Sequence, residues 1–266
     1  MSRRMRLDVI VVLGLAVALL PIAAAAQEIA AQVGAAPQWD KPGNTLPDGK
    51  EPLNEAPGLP LDFPPGAEAV ATGYGWSQTT GTYTEITGGT QVTASCDDTS
   101  YNNIALPFTF TYDGTAFTAV SIQCNGFIAM GTSVSSSYTP ISTGTTNNVI
   151  VAIGEDQQTN TADSTIRYET LGTAPNHVFV IQWKNFRHYN AAGDSRNYQI
   201  RLHETSNLIE VVYGPFTQNA TNRTCQVGLR GAANTDFNNR TSTGDWTASA
   251  AGATNAASMA LTNVYF

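Results

Sequence analysis

The stretch LPFTFTYDGTAFTAVSIQCNGFIAMG, residues 106–131, decides the fold. Phe108, Phe110 and Tyr112 alternate with small polar positions, and Asp113-Gly114 then interrupts the run. Alternation resumes at Val120 and Ile122 and is cut again at Asn125-Gly126. An apolar period of two fits a half-buried strand. DG and NG dipeptides tolerate the positive φ that a tight hairpin turn demands. The segment therefore reads as consecutive antiparallel hairpins.

Working outward, the same signal repeats at short spacing. Strands are expected at 83–86, 91–94, 108–112, 119–124, 127–130, 149–153, 165–168, 177–186, 198–203, 208–213, 225–229 and 258–265. Gly, Asn, Asp and Ser cluster between them, as turns require. HVFVIQWKNF is apolar through most of its length, which suits a central strand covered on both faces. YQIRLHETSNLIEVVYG reads as a hairpin, with Tyr198, Ile200 and Leu202 on one face and Gln199, Arg201 and His203 on the other. From 71 onward no segment keeps a capped 3.6-residue pattern. Ala248–Ala260 is rich in Ala, but Gly252 and interspersed Ser, Thr and Asn weaken a helix there. The expected class is all-β: one antiparallel β-sandwich, jelly-roll-like, over residues 71–266.

The N-terminal part differs. Residues 1–26 carry Arg3, Arg4 and Arg6, then the apolar run VIVVLGLAVALL, Pro21, and the small residues Ala24 and Ala26. This is the pattern of an export signal, and the run is too short to stay as a comfortable membrane span. Secretion to the extracellular space or cell surface is expected, with no retained membrane segment. Its removal takes the net charge from −8 to −10, because three Arg and one Asp leave with it. An acidic chain with few Lys is a poor partner for nucleic acid or anionic membranes.

Residues 27–70 form a Pro-rich arm, with Pro37, Pro42, Pro47, Pro52, Pro57, Pro60, Pro64 and Pro65. Such a segment is extended rather than helical. At its start, QEIAAQVGAA places Ile29, Ala31, Val33 and Ala35 on one face of an extended chain. A short alternating segment on a tether has the form of a donor strand that adds to a neighbour's sheet. Head-to-tail addition of that kind does not close and produces a homopolymer. A spacer is the alternative.

Three cysteines in an exported chain predict one disulfide and one leftover thiol. Cys124 shares strand parity with Ile122, and Cys225 with Val227 and Leu229, so both are expected to point inward. Cys124–Cys225 is the favoured pair; inward free thiols are the alternative.

The pieces GTYTEITGGT, residues 106–131, VFVIQWKNFRHYN and YQIRLHETSNLIEVVYG resemble a family of secreted bacterial β-sandwich modules found in surface and adhesin-like proteins. The resemblance covers about residues 74 to 235. It implies a sandwich fold and a place at the cell surface, and says little about the ligand.

Catalytic chemistry has no anchor. No GxSxG, HExxH, P-loop or GxGxxG is present. His177, His188 and His203 lack metal-ligand spacing. Glu85, Glu169, Glu204 and Glu210 lie in or near strands, and a glycosidase needs two carboxylates facing across a cleft. The chain is expected not to be an enzyme and to need no cofactor. Calcium is the one small ligand with a case. GEDQQTNTAD supplies Glu155, Asp156, Asn160 and Asp163, and CDDT supplies Asp97 and Asp98. The DxDxDG spacing is absent, however. Trp76 and Trp246, with Tyr74, Tyr83 and Tyr138, are candidate stacking platforms for a glycan. Sequons at Asn219, Asn222 and Asn239 mark expected polar surface loops.

Two functional readings follow. One is a structural subunit of an extracellular filament, its partners copies of itself, joined through Ile29, Ala31, Val33 and Ala35. The other is a monomeric adhesin or carbohydrate-binding module using Trp76 or Trp246 against surface glycans or other cells.

Overall fold

A computed structural model describes residues 71–219, 223–240, 254–255, 259 and 262–266. The expected donor-strand residues Ile29, Ala31, Val33 and Ala35, the export signal and Trp246 lie outside the described residues. Among the described residues there is no α-helix, only a 3-10 turn at Ala71–Gly73. No helix there is long and apolar enough to cross a membrane.

The strands in chain order are β1 (Trp76–Thr79), β2 (Thr90–Thr93), β3 (Ser100–Tyr112), β4 (Thr115–Gln123), β5 (Phe127–Met130), β6 (Val149–Gly154), β7 (Gln157–Thr159), β8 (Thr165–Leu171), β9 (Val178–His188), β10 (Ser195–His203), β11 (Ile209–Thr217), β12 (Thr224–Arg230), β13 (Phe237–Asn239), β14 (Thr254–Asn255) and β15 (Thr262–Tyr265). They form two sheets with all pairings antiparallel. One runs β1-β15-β11-β10-β9-β8-β2, with β7 beside β9; the other runs β13-β12-β6-β5-β4-β3, with β14 beside β12. The expected antiparallel sandwich is what the chain forms.

The deciding stretch builds the second sheet. Asp113 (φ 50°) and Gly114 (φ 70°) turn β3 into β4. Gly126 (φ 81°) follows, and a Cβ there would lie 2.2 Å from the Ile153 carbonyl oxygen, so the turn into β5 needs glycine for space as well as for conformation.

Between the sheets sits one core, with Phe110, Ile122, Trp183, Ile200, Val211 and Leu229 fully buried. A second, smaller cluster lies on the far face of the second sheet. There Val134 and Ile141, from the 131–148 loop, pack on Phe127, Ala129, Val149 and Val151. This explains why β5 and the start of β6 are buried at every position although Ile128, Met130, Ile150 and Ala152 are the residues that face the main core.

The disulfide corrects the sequence reading. Cys96 and Cys124 are joined, with Cα atoms 6.2 Å apart, while Cys225 stays a buried thiol outside the bridge. Strand parity placed Cys124 and Cys225 inward correctly; they are 0% and 3% exposed. Parity fixes a face, not a neighbour. The loop after β2 brings Cys96 to the β4–β5 turn, where Cys124 N donates to Thr99 O at 3.1 Å. Buried on β12, Cys225 is not placed to bridge subunits.

Residues 83–86 also depart from expectation: they form no ladder strand. Strands β1, β7, β13 and β14 were not signalled, being two to four residues long.

Candidate functional site

The outer face of the first sheet is a grid fixed by register. Arg167, Gln182, Gln199 and Val212 lie side by side across β8, β9, β10 and β11. Two residues along, Glu169, Val180, Arg201 and Glu210 form the next row, followed by Leu171, Val178 and His203. The intervening residues, such as Ile181, Ile200 and Val211, face the core, so period two aims the grid away from it.

The 82–88 segment crosses this grid as a strap. Its carbonyls at alternate residues are received by outward side chains. Arg201 Nη2 donates to Thr82 O at 3.0 Å, and Gln199 Nε2 to Thr84 O at 2.7 Å. Gln182 Nε2 donates to Ile86 O at 3.2 Å, and Arg167 Nη1 to Gly88 O at 2.8 Å. Ile86 N donates back to Gln182 Oε1 at 2.9 Å. GTYTEITGGT is thus extended, as its pattern predicts, but its backbone partners are side chains rather than a neighbouring strand. Tyr83 lies over Gly214, where a Cβ would meet the ring at 2.7 Å.

Beside the strap is a groove of about 480 Å³. Leu171, Val178 and Val180 give it an apolar strip, and Thr82, Thr84, Thr87, Gln199, Arg201, His203, Glu85, Glu169 and Glu210 give it polar groups. Leu171 is 42% exposed. A smaller recess of about 310 Å³ is lined by Tyr83, Asp163, Lys184, Asn185 and Asn197.

Most charges in the groove are paired. Glu210 meets His203 Nε2 at 3.0 Å and Arg201 Nη1 at 3.7 Å. The His203 hydrogen bond holds the Glu210 carboxyl below the usual range. Lys184 Nζ meets Glu85 at 2.7 Å. Three of the four glutamates singled out from the sequence thus converge on one groove, while Glu204 pairs elsewhere with His177 at 2.8 Å.

The acidic loops behave differently. Asp97, Asp98 and Asp156 come together, one oxygen of each lying within 4.8 Å of the others. Burial, then mutual repulsion, pushes Asp97 and Asp156 upward. Asp98 accepts from Asn125, Ser136 and Tyr138. Three carboxylates are hard donors, but calcium takes six to eight oxygens, so water or backbone would have to supply the rest. The other expected ligands point away. Asn160 binds Asn185 and Asp194, and Asp163 accepts from Thr161 and Asn185. Glu155 turns inward to Arg196 and to His188. Fully buried Arg196 also meets Asp194 at 3.4 Å, and burial pushes its guanidinium down to about 10.

The candidate aromatic platforms are spread over the fold. Trp76 is half-buried on β1, packs against the core and donates from Nε1 to Asn263 Oδ1 at 3.2 Å. Tyr74 packs on Tyr112, with ring centroids 5.6 Å apart. Tyr138 is exposed, beside Asp98. Of the sequons, Asn219 is exposed, Asn222 lies outside the described residues, and Asn239 is buried on β13, where it accepts from Val227 N at 3.1 Å.

A family model described as NIDO-related matches residues 73–266. The chain belongs to the NIDO-related family. No curated protein and no solved structure matches it. The match spans both sheets of this NIDO-related domain and the whole groove. Its disulfide fits an oxidising, extracellular-type compartment.

Proposed function

We propose that this NIDO-related chain is a non-catalytic extracellular recognition module, an adhesin-like domain that takes a hydroxyl-rich glycan in the groove beside the strap. The observation that carries the reading is the groove's make-up. An apolar strip of exposed Leu171 and half-buried Val178, with Val180 buried beneath it, adjoins carboxylate, guanidinium, imidazole, amide and hydroxyl groups on the sheet. Pockets that hold small polar ligands combine apolar walls with a few fixed polar groups in this way.

A strand-inserted filament has less support from the edges. The outermost strand β3 carries Pro107 and two register irregularities, and β1 and β2 have four residues each. Proline, bulges and short edge strands all discourage strand addition.

The test is a glycan array followed by titration of the best hit. Binding is expected to survive deletion of residues 27–40 and to fall at least tenfold in Leu171→Glu, an exposed position whose change leaves the core intact. Binding indifferent to Leu171, or none to any glycan, overturns the reading.

A further inference from the structure

Among the described residues, Glu169 is the groove carboxylate whose side chain has no partner. Glu85 is paired with Lys184 and Glu210 with His203 and Arg201. The half-buried Glu169 side chain makes no hydrogen bond or ion pair among the described residues, although it lines the same groove. The nearby cations are turned elsewhere. Arg167, two residues away on β8, reaches Gly88 O and Gln91. Arg201 stands two strands across, beyond Val180, and is held by Glu210, Gln199 and Thr82 O. Gly88 keeps the carboxylate's place open, for a Cβ there would lie 2.5 Å from Glu169 Oε1.

We propose that the ligand carries a protonated amine that Glu169 receives, as in an amino sugar with an unacetylated nitrogen. The inference rests on the glycan reading of the groove and specifies its chemistry. A half-buried carboxylate with no partner gains most from a ligand that brings the missing donor and charge together. The apolar strip covers the face of the sugar ring, while Thr82, Thr84 and Thr87 offer hydroxyls to its own. A net charge of −8 over the chain favours approach of a cationic ligand.

The experiment titrates wild type, Glu169→Gln and Gly88→Ala with glucosamine tetramer and with N-acetylglucosamine tetramer at neutral pH and low salt. One charge-assisted contact at a half-exposed site predicts that wild type prefers the free amine by about tenfold. Salt reduces that preference. Glu169→Gln brings the ratio near one by weakening the free-amine tetramer. Gly88→Ala, which displaces the carboxylate without removing it, lowers the ratio in part. Equal wild-type affinities, or a preference that survives Glu169→Gln, overturn the amine proposal and leave the glycan groove standing. Binding of neither tetramer overturns the amine proposal and leaves the glycan reading to the array, whereas Glu169-dependent binding of an oligolysine peptide in their place overturns both.

Discussion

Gln182 clamps the backbone of Ile86 at two points: its Oε1 accepts from Ile86 N at 2.9 Å, and its Nε2 donates to Ile86 O at 3.2 Å. The side-chain amide thereby stands in for a strand residue. It satisfies a backbone pair that the 82–88 segment, lacking a ladder partner, would otherwise leave over a buried surface. Gln182 is 1% exposed, so its own amide depends equally on this pairing.

Gln182→Leu keeps the volume and removes the clamp. Two buried backbone groups at Ile86 lose their partners, and Gln199 Nε2 loses one of its two acceptors. The expected loss is about 2 kcal/mol in urea-unfolding stability. Limited proteolysis then cuts within residues 82–88 well before the sandwich unfolds. A variant as resistant as wild type would mean that Gln199 and Arg201 hold the strap alone.

That clamp marks where the sequence stopped being legible. Apolar alternation and DG or NG turns located β3 to β6 and β8 to β12, because those strands bury one face and their turns require special φ. The strap shows the same alternation, but its partners are Gln182, Gln199, Arg167 and Arg201 on three other strands, and no local pattern names them. The groove was hidden for the same reason. Glu169, Arg201 and Glu210 share a row only once register is fixed. Parity found the inward face of Cys124 and Cys225 yet was silent on distance, so the bridge to Cys96 was missed. Strand β1, four residues beside β15, leaves almost no periodic signal, so the half-buried seat of Trp76 is not legible in the sequence.

The cysteines give a second prediction. Cys96–Cys124 closes a loop with a sequence separation of 28. On the chain-entropy model, Cys96→Ser with Cys124→Ser lowers stability by about 3–4 kcal/mol. Burial pushes the Cys225 thiol up to about 12, so the folded protein should resist a thiol reagent near neutral pH. One thiol per chain should react in denaturant without reductant, and three after reduction. Rapid native labelling would contradict the buried placement.

Asp156 gives a third. Its carboxyl is raised first by burial and then by Asp97 and Asp98, with His188 opposing. A raised folded-state value means that the folded protein holds this proton more tightly than the unfolded chain. The ionised form therefore costs stability at neutral pH, and the cost disappears as pH falls below the unfolded carboxyl value. Asp156→Asn is expected to melt above wild type at pH 7, the gap shrinking towards pH 3. Its backbone acceptor for Tyr189 N, at 2.9 Å, is untouched by the change. An Asn variant less stable than wild type in metal-free buffer would show that the carboxylate is held by something other than this repulsion.

Glu210 runs the opposite way and provides the control. The His203 hydrogen bond leads the causes that hold its carboxyl low, with Arg201 adding to them and burial opposing. A depressed folded-state value gives stability that is present above the unfolded Glu value and is lost as pH falls through the folded one. The side chain is 24% exposed, so solvent screens much of the pairing. Glu210→Gln should cost roughly 0.5–1 kcal/mol at pH 7. The gap from wild type should close as pH drops below about 4, where the unfolded carboxyl is itself protonated. His203→Ala should cost less in the Glu210→Gln background than in wild type, because the partner it loses is already neutral. A gap that stays constant from pH 7 to 3 would show that Glu210 contributes through packing, and that the groove's central charge pair is not electrostatically coupled.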